Sequence, residues 1–218
     1  VMEPEDIRYH LERAWHEATT GRTGPVWLSV PLDVQGAMVD ETKLKGYIPV
    51  PEPEKDISAQ VKKIVSLLRN AKKPLILAGN GIKLAGATEA FRALAKKLGV
   101  PVQTTWKAID MLDEYDPLYV GHPGIMGDRG ANLIVQEADF LLCIGSRLDT
   151  SITAYDEPHF GKSAKKAIVD IDSNEIRRID TDFEVEICCD AGRFIAALAE
   201  EIADNVLPGC FGWVSYCR

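Results

Sequence analysis

Short apolar runs of strand length, separated by stretches of helix length, constrain the fold of this chain more than any other feature. The runs cover residues 74–78, 100–105, 140–145, 167–171 and 185–189. Strands that are apolar along their whole length are typical of a parallel sheet with both faces covered. Their alternation with helices places the chain in the α/β class. The sequence therefore predicts a doubly wound, Rossmann-like and mostly parallel sheet with helices on both faces.

The stretches between these runs repeat apolar residues at helical spacing. Helices are predicted over residues 57–68, 87–98, 131–137, 174–179 and 191–203. Gly99 is expected to end the second of them, and Ser173 is expected to cap the fourth. Residues 106–130 form a Gly-rich connection that exceeds the roughly 12–15 residues usual for a loop, which indicates a functional segment.

The first 55 residues follow a different pattern. A helix is predicted over residues 4–19 and a strand over residues 26–30, ended by Pro31. Residues 35–55 lose periodicity and collect three prolines between charged residues, which is typical of a linker. The predicted organisation is a short segment at 1–34, a linker at 35–55, an α/β domain at 56–206 and the start of another connection at 207–218.

Composition and charge exclude several classes of function. Lys and Arg total 25 against 33 Asp and Glu, and a net charge of −8 without a basic run argues against a nucleic-acid partner. No apolar stretch reaches the roughly 18–20 residues needed to cross a bilayer, and residues 1–4 show no export signal, so no membrane association is expected. The 5 cysteines form no C-x-x-C pair, so we expect free thiols in a reducing cytoplasm.

The segments that follow the predicted strands carry the candidate binding residues, because ligands of open α/β sheets gather at the carboxyl ends of strands. Glycines let backbone amides approach a phosphate, an arginine can clamp a diphosphate, and an acidic residue can bind ribose hydroxyls. Together they indicate a nucleotide site. The segments are Gly79-Asn80-Gly81, Thr104-Thr105-Trp106, Gly145-Ser146-Arg147-Leu148-Asp149, Asp170-Ile171-Asp172 and Asp190-Ala191.

Each of these segments also has a purely structural interpretation. The glycines can serve tight turns, Asp170 and Asp172 can cap a helix instead of pairing around a metal, and Arg147 can pair locally with Asp149. His122 is the only histidine in a site-like loop. The chain contains no G-x-G-x-x-G, G-x-S-x-G, Walker or H-E-x-x-H motif, so neither a catalytic residue nor a metal ligand is assigned.

Five ordered motifs nevertheless resemble one family. They are the segment at 21–34 (Gly-Arg-Thr-Gly-Pro-Val-Trp-Leu-Ser-Val-Pro-Leu-Asp-Val), the segment at 73–81, Gly127-Asp128-Arg129-Gly130-Ala131-Asn132, Gly145-Ser146-Arg147-Leu148-Asp149, and Val169-Asp170-Ile171-Asp172. Their order and intervals are similar to those of thiamine-diphosphate-dependent enzymes of the acetolactate synthase type. The resemblance covers nearly the whole chain.

The resemblance implies a three-domain parent enzyme. Residues 1–34 would be the end of its N-terminal pyrimidine-binding domain, residues 56–206 its central domain, and residues 207–218 the start of the linker to a pyrophosphate-binding domain. The catalytic glutamate and the Gly-Asp-Gly motif for magnesium and thiamine diphosphate would lie outside this chain. The parent would act on a 2-oxo acid as a carboligase or decarboxylase and form a homodimer or homotetramer, while this chain alone would be inactive.

In the acetolactate synthase branch the central domain binds FAD, and in relatives it binds ADP or nothing. The positions that carry over by motif are Arg22, Gly79, Asn80, Gly81, Thr105, Trp106, Gly145, Ser146, Arg147, Asp149, Asp170, Ile171, Asp190 and Ala191. Ser151 stands where the family has a second arginine, which weakens the case for FAD. Two alternatives stay open: a stand-alone domain that binds FAD, ADP or NAD, and a scaffold that only packs its neighbours.

Overall fold

Two units make up the chain in the computed structural model, Val1–Glu54 and Lys55–Arg218. The structure describes residues 1–51, 53–202 and 210–218. In the first unit, a 3-10 turn at Pro4–Asp6 leads into α1 (Ile7–Thr19), and a single helical turn follows at α2 (Leu32–Gln35). The predicted N-terminal helix is therefore confirmed.

The predicted strand at residues 26–30 is wrong. These residues have no regular secondary structure, and the described part of the first unit contains no strand with which they could pair. Alternating β-formers satisfy the local preference for an extended backbone, but a strand becomes stable only through hydrogen bonds and packing with neighbouring strands.

The described part of the second unit contains one parallel sheet of 5 strands in the order β2-β1-β3-β4-β5. Every residue of the neighbouring strands Pro74–Ala78 and Phe140–Ile144 is buried, which explains their continuous apolar sequences. The predicted strands are confirmed, although β2 is shorter than the apolar run at 100–105. The strands are β1 (Pro74–Ala78), β2 (Val102–Thr104), β3 (Phe140–Ile144), β4 (Lys165–Asp170) and β5 (Val185–Cys188).

Helices cover both faces of this sheet, and the doubly wound α/β fold is confirmed. One core cluster lies under α3, α5 and α9, and a second lies on the opposite face with residues of α6, α8 and α10. The helices are α3 (Ser58–Asn70), α4 (Gly81–Leu84), α5 (Thr88–Leu98), α6 (Arg129–Glu137), α7 (Thr150–Thr153), α8 (Ser173–Arg177), α9 (Ala191–Glu201) and α10 (Phe211–Cys217).

The ends of the elements show where local signals hold and where they fail. Gly99 ends α5 with a left-handed φ of 60°, as predicted. Ser173 is not the cap of α8, because the side chain of Asp172 accepts the N–H of Asn174 at 2.8 Å. The loop at 106–130 contains a 3-10 turn at Trp106–Ala108 and the first residues of α6. Residue 203 of the last predicted helix and residues 207–209 of the predicted tail lie outside the described residues.

Candidate functional site

The carboxyl ends of the strands lie along one edge of the sheet because all strand pairs are parallel. Along this edge, β1 lies between β2 and β3, so the connections from β1 and β3 leave towards opposite sides. Such a switch point is where open α/β sheets bind their ligands. Here it brings together the turn Gly79-Asn80-Gly81 and the segment that begins at Gly145. We call this place the β1/β3 edge.

The glycines of the β1/β3 edge are required by a contact between the two turns. The N–H of Gly81 donates to the carbonyl of Gly145 at 2.9 Å, and the N–H of Gly79 donates to the carbonyl of Ile144 at 2.9 Å. A Cβ on Gly79 would overlap the Gly145 carbonyl, and a Cβ on Gly81 would lie 2.7 Å from the Gly145 Cα. Gly145 itself has a φ of +58°. Close packing of backbone on backbone therefore accounts for these glycines.

Polar groups remain at this edge that the two turns do not satisfy. The N–H groups of Asn80, Ser146 and Arg147 donate to no backbone carbonyl in the described part of the chain. The hydroxyl of Ser146 is buried, and within the same part it has no hydrogen-bond partner. Unpaired donors beside an arginine fit an anionic group such as a diphosphate.

Arg147 pairs with Glu175 rather than with Asp149. Its Nε lies 3.2 Å from Glu175 Oε2. Arg178 donates to the same oxygen at 2.5 Å and also to the carbonyl of Arg147 at 2.6 Å. Leu148, the next residue of the segment, is buried with a left-handed φ of 50°. The arginine of the predicted motif is thus held by a residue of α8.

Most of the predicted acidic residues cap helices. Asp149 accepts the N–H of Ser151 at 3.0 Å, and Asp190 accepts the N–H of Arg193 at 3.0 Å. Asp170 accepts the N–H of Asp172 at 2.9 Å. No group of three or more His, Cys, Asp or Glu side chains that could hold a metal ion exists among the described residues. These contacts favour the capping interpretation of Asp172 over a metal pair.

The other predicted site residues differ in their surroundings. Thr105 donates its N–H to the Ala78 carbonyl at 2.9 Å, which places the start of the long loop beside the end of β1. The side chains of Trp106 and Ile171 are exposed, whereas Ala191 is buried at the start of α9. Arg22 belongs to the first unit and is exposed.

The long loop contains a pair formed by a histidine and an aspartate, His122 and Asp128. His122 Nδ1 lies 3.0 Å from Asp128 Oδ2, and its ring is perpendicular to that of Trp106 with the centroids 6.2 Å apart. The same carboxyl oxygen accepts the N–H of His122 at 3.1 Å. The sequence analysis named both residues, His122 for its loop and Asp128 as part of a family motif, but it did not predict that they pair. It also missed Glu175 and Arg178, for which no local signal exists.

A cavity of about 490 Å³ lies elsewhere on this unit, between α6, α7 and the turn at Glu157–His159. Its wall combines backbone of the long loop with side chains such as Leu133, Ile152 and Phe160. All of the predicted site residues are described, and none of them lines this cavity. Within the described residues, no helix is both long and apolar enough to span a membrane.

Comparison with known proteins gives a consistent result. A family model described as thiamine pyrophosphate enzyme, central domain, matches residues 61–198. An acetolactate synthase large subunit of Corynebacterium glutamicum is 40% identical over 225 residues, which cover 100% of this chain and 35% of the relative. A probable acetolactate synthase large subunit of Methanocaldococcus jannaschii is 35% identical over 220 residues, covering 94% of this chain and 36% of the relative. The chain thus spans about a third of the length of these relatives.

Proposed function

The chain belongs to the thiamine pyrophosphate enzymes and carries their central domain, and from this membership we propose that it is part of an enzyme acting on 2-oxo acids. The proposed activity is that of a carboligase or decarboxylase similar to acetolactate synthase. The observation that carries the proposal is the identity to an acetolactate synthase large subunit along the whole chain. Because those relatives are about three times longer, the reaction is assigned to the whole protein and not to these residues alone.

The part of the chain described here does not fit the site of thiamine diphosphate and magnesium. Its described residues provide no cluster of three potential metal ligands. Mg²⁺ prefers carboxylate, phosphate and water oxygens in an octahedral arrangement, which a pair of capping aspartates does not supply. We therefore assign the cofactor and the reacting atoms to other segments of the parent. The chain's own contribution is to pack and orient those segments.

The test is an assay of the full reading frame that contains this chain. The purified product is incubated with pyruvate, thiamine diphosphate and Mg²⁺, and both carbon dioxide release and acetolactate are measured. We expect both signals, and we expect both to vanish when thiamine diphosphate is omitted. If a folded full-length protein released no carbon dioxide from pyruvate or 2-oxobutyrate, the proposed reaction would be wrong.

We propose a second function for the β1/β3 edge, the binding of FAD or ADP through its diphosphate. The observation that favours it is the buried hydroxyl of Ser146 beside the N–H groups of Asn80 and Arg147. Among the described residues this hydroxyl has no hydrogen-bond partner, and the two N–H groups donate to no backbone carbonyl. Asp170 and Asp190, with Ile171 and Ala191, would face the adenosine side, as the family resemblance implies. The other residues of the second unit that we assign to this site are Gly79, Gly81, Thr105, Trp106, Gly145, Arg147 and Asp149. Arg22 belongs to the first unit and stays an expectation from the family resemblance alone.

Equilibrium titration of the chain with FAD, ADP and NAD tests this second function. We expect binding of at least one adenine nucleotide and a several-fold loss of affinity in Ser146→Ala, because a buried hydroxyl that meets a phosphate contributes a strong hydrogen bond. Ser66→Ala, a change on α3, is the control and should bind like the wild type. Absence of binding for all three nucleotides would leave the domain with a packing role only.

The assembly and the compartment of the parent belong to the same proposal. We infer a homodimer or homotetramer in the cytoplasm. The free state of all five cysteines supports a reducing compartment. Light scattering of the full-length protein measures the assembly directly, and a monomer at micromolar concentration would contradict it.

A further inference from the structure

The arginine at the β1/β3 edge is held by a carboxylate of α8. Arg147 Nε donates to Glu175 Oε2 at 3.2 Å. The side chain of Arg147 is 59% exposed, whereas that of Glu175 is only 12% exposed. The carboxylate is therefore fixed within the protein, while the guanidinium extends towards solvent. Of the two partners, the arginine is therefore the one that a ligand in solution can reach.

A second arginine keeps this carboxylate satisfied if Arg147 moves away. Arg178 Nε donates to the same Glu175 oxygen at 2.5 Å. Arg178 also donates to the carbonyls of Arg147 at 2.6 Å and of Leu148 at 3.4 Å. These bonds hold the backbone of the segment, including the left-handed residue Leu148, without the side chain of Arg147. Release of Arg147 therefore leaves neither a buried unpaired charge nor an unsupported turn.

A phosphate and Glu175 would use the same donors of Arg147. A guanidinium forms charge-assisted hydrogen bonds with either a carboxylate or a phosphate. Arg147 directly follows Ser146, whose buried hydroxyl lacks a partner among the described residues. A diphosphate bound at Ser146 therefore competes with Glu175 for the neighbouring guanidinium.

We propose that Glu175 is the residue that sets the affinity of the β1/β3 edge for a nucleoside diphosphate, by holding Arg147 until the diphosphate takes it over. Arg178 retains the carboxylate after the exchange. Glu175 is a positioning residue that acts through Arg147, and the inference rests on the nucleotide-binding function proposed above. Its consequence is that the carboxylate opposes binding, both by occupying Arg147 and by placing a negative charge near the phosphates.

The experiment compares ADP and inorganic pyrophosphate binding to the 218-residue chain and its variants by calorimetric titration. In Glu175→Gln the dissociation constants should fall about three- to tenfold, the range expected when one partly exposed ion pair no longer competes. Glu157→Gln is the matched control. Glu157 approaches Arg178 at 3.6 Å, and Arg147 pairs with Glu175 instead, so its constants should change less than twofold. In an Arg147→Gln background, Glu175→Gln should bring no gain.

Each result has a separate meaning. If the wild type binds ADP and Glu175→Gln binds it equally or more weakly, the inference is overturned and the nucleotide site stands. If neither protein binds ADP or pyrophosphate, the inference and the nucleotide site are both overturned, and the carboligase proposal keeps its own assay. Should circular dichroism show that Glu175→Gln is unfolded, Glu175→Asp replaces it. The shorter side chain withdraws from Arg147, so the dissociation constants for ADP and pyrophosphate should again fall. Unchanged constants would contradict the inference.

Discussion

Gly79 shows how one residue fixes the geometry of the β1/β3 edge. A methyl group at this position would occupy the space of the Gly145 carbonyl and lie 2.5 Å from the Ser146 Cα. Both neighbours are backbone atoms, so no side chain can rotate to relieve the overlap. The turns after β1 and β3 would have to separate, and Ser146 and Arg147 would move with them.

Gly79→Ala should therefore lower the free energy of unfolding by about 3 kcal/mol. Urea denaturation followed by circular dichroism measures it. Gly130→Ala is the control, because Gly130 lies in α6 and a Cβ there would meet nothing within 4 Å. Alanine should stabilise that helix by about 0.5–1 kcal/mol. Equal stabilities of the two variants would contradict the close packing of the turns.

Lys166 is a second residue whose surroundings predict a measurable effect. It is only 6% exposed, and its Nζ donates to the Gly161 carbonyl at 3.4 Å. No carboxylate lies within 4.0 Å of it in the described structure. Burial lowers the pKa of Lys166, and the interactions with Cys143 and with the more distant Asp182 oppose that shift only in part. Burial also raises the pKa of the neighbouring Cys143 to about 12, so this thiol is uncharged at neutral pH.

Lys166→Met should raise the free energy of unfolding at neutral pH by about 1–2 kcal/mol, because a poorly paired ammonium is replaced by an apolar chain of similar size. The wild-type stability should rise with pH between the lowered pKa and the ordinary value of 10.5, since the unfolded chain binds more protons in that window. The variant should lose this rise. Lys165→Met, at the exposed neighbouring position, should leave the stability nearly unchanged. Destabilisation by Lys166→Met would show that the ammonium is better paired than its contacts indicate.

At the scale of elements, α10 is attached to the sheet by a small aromatic cluster. Trp213 is buried and donates its Nε1–H to the Pro74 carbonyl at 2.9 Å. The ring of Tyr216 stacks on it at 5.5 Å, and Lys73 Nζ lies 5.2 Å from the Trp213 ring centre. Glu137 completes the cluster, because its carboxylate accepts hydrogen bonds from Lys73 at 2.9 Å and from Tyr216 at 2.8 Å. The cluster combines apolar burial with a surface charge pair.

Trp213→Ala should cost about 3 kcal/mol of stability through the lost burial and the resulting cavity. Tyr216→Phe should cost far less, because the hydroxyl lies at the surface. Urea denaturation of both variants measures the two losses in the free energy of unfolding. Costs of equal size would mean that the hydrogen bond to Glu137, rather than the indole, attaches the helix.

The same cluster predicts a pH effect. The hydrogen bonds from Lys73 and Tyr216 lower the pKa of Glu137 below 4.5. The carboxylate therefore stabilises the fold above pH 4.5, and this contribution is lost as the pH falls through the lowered pKa. Tryptophan emission measures the change, because Trp213 is buried while Trp15, Trp27 and Trp106 are exposed. A red shift is expected on acidification, and it should be weaker in Glu137→Gln. An identical shift in that variant would assign the effect to another group.

The elements also show what a sequence of this kind can predict. β1 and β3 are predictable because every residue is buried, so the apolar run is continuous. At residues 26–30 the pattern predicts a strand that does not form, because the pattern carries no information about a pairing partner. The helical turns α4 and α7 span one turn each, which is too short for a periodic signal. Likewise the cap of α8 is Asp172 and not Ser173, a choice between adjacent residues that backbone geometry decides.

At the scale of the whole molecule, the sequence places the candidate segments at one edge because parallel strands share their direction. The contacts within that edge could not be predicted. Glu175 and Arg178 lie 28 and 31 residues beyond Arg147, and only the packing of α8 beside the end of β3 brings them to it. The glycine contact between the turns also arises from the strand order, which the apolar runs do not specify. Sequence therefore locates the edge, and tertiary packing determines its chemistry.

The division into two units has a consequence for folding. Every buried apolar side chain in the described chain lies at Ile57 or beyond, within the second unit. The first unit exposes large apolar groups instead, with Trp27 at 91%, Leu32 at 83% and Met38 at 96%. Its one long helix, α1, has 13 residues, which is marginal for an isolated helix in water. The core that stabilises the chain is therefore complete without residues 1–54.

A protein of residues 55–218 should unfold in one cooperative transition, with a midpoint within about 3 °C of the full chain. A peptide of residues 1–54 should show no cooperative transition and little helix, because it has no core to offset the entropy of ordering. Differential scanning calorimetry of the larger piece and circular dichroism of the peptide measure both. If the midpoint of residues 55–218 fell by more than about 10 °C, a loss of several kcal/mol for a domain of this size, the first unit would contribute to the fold of the second. Such a result would mean that burial within the second unit alone does not account for its stability.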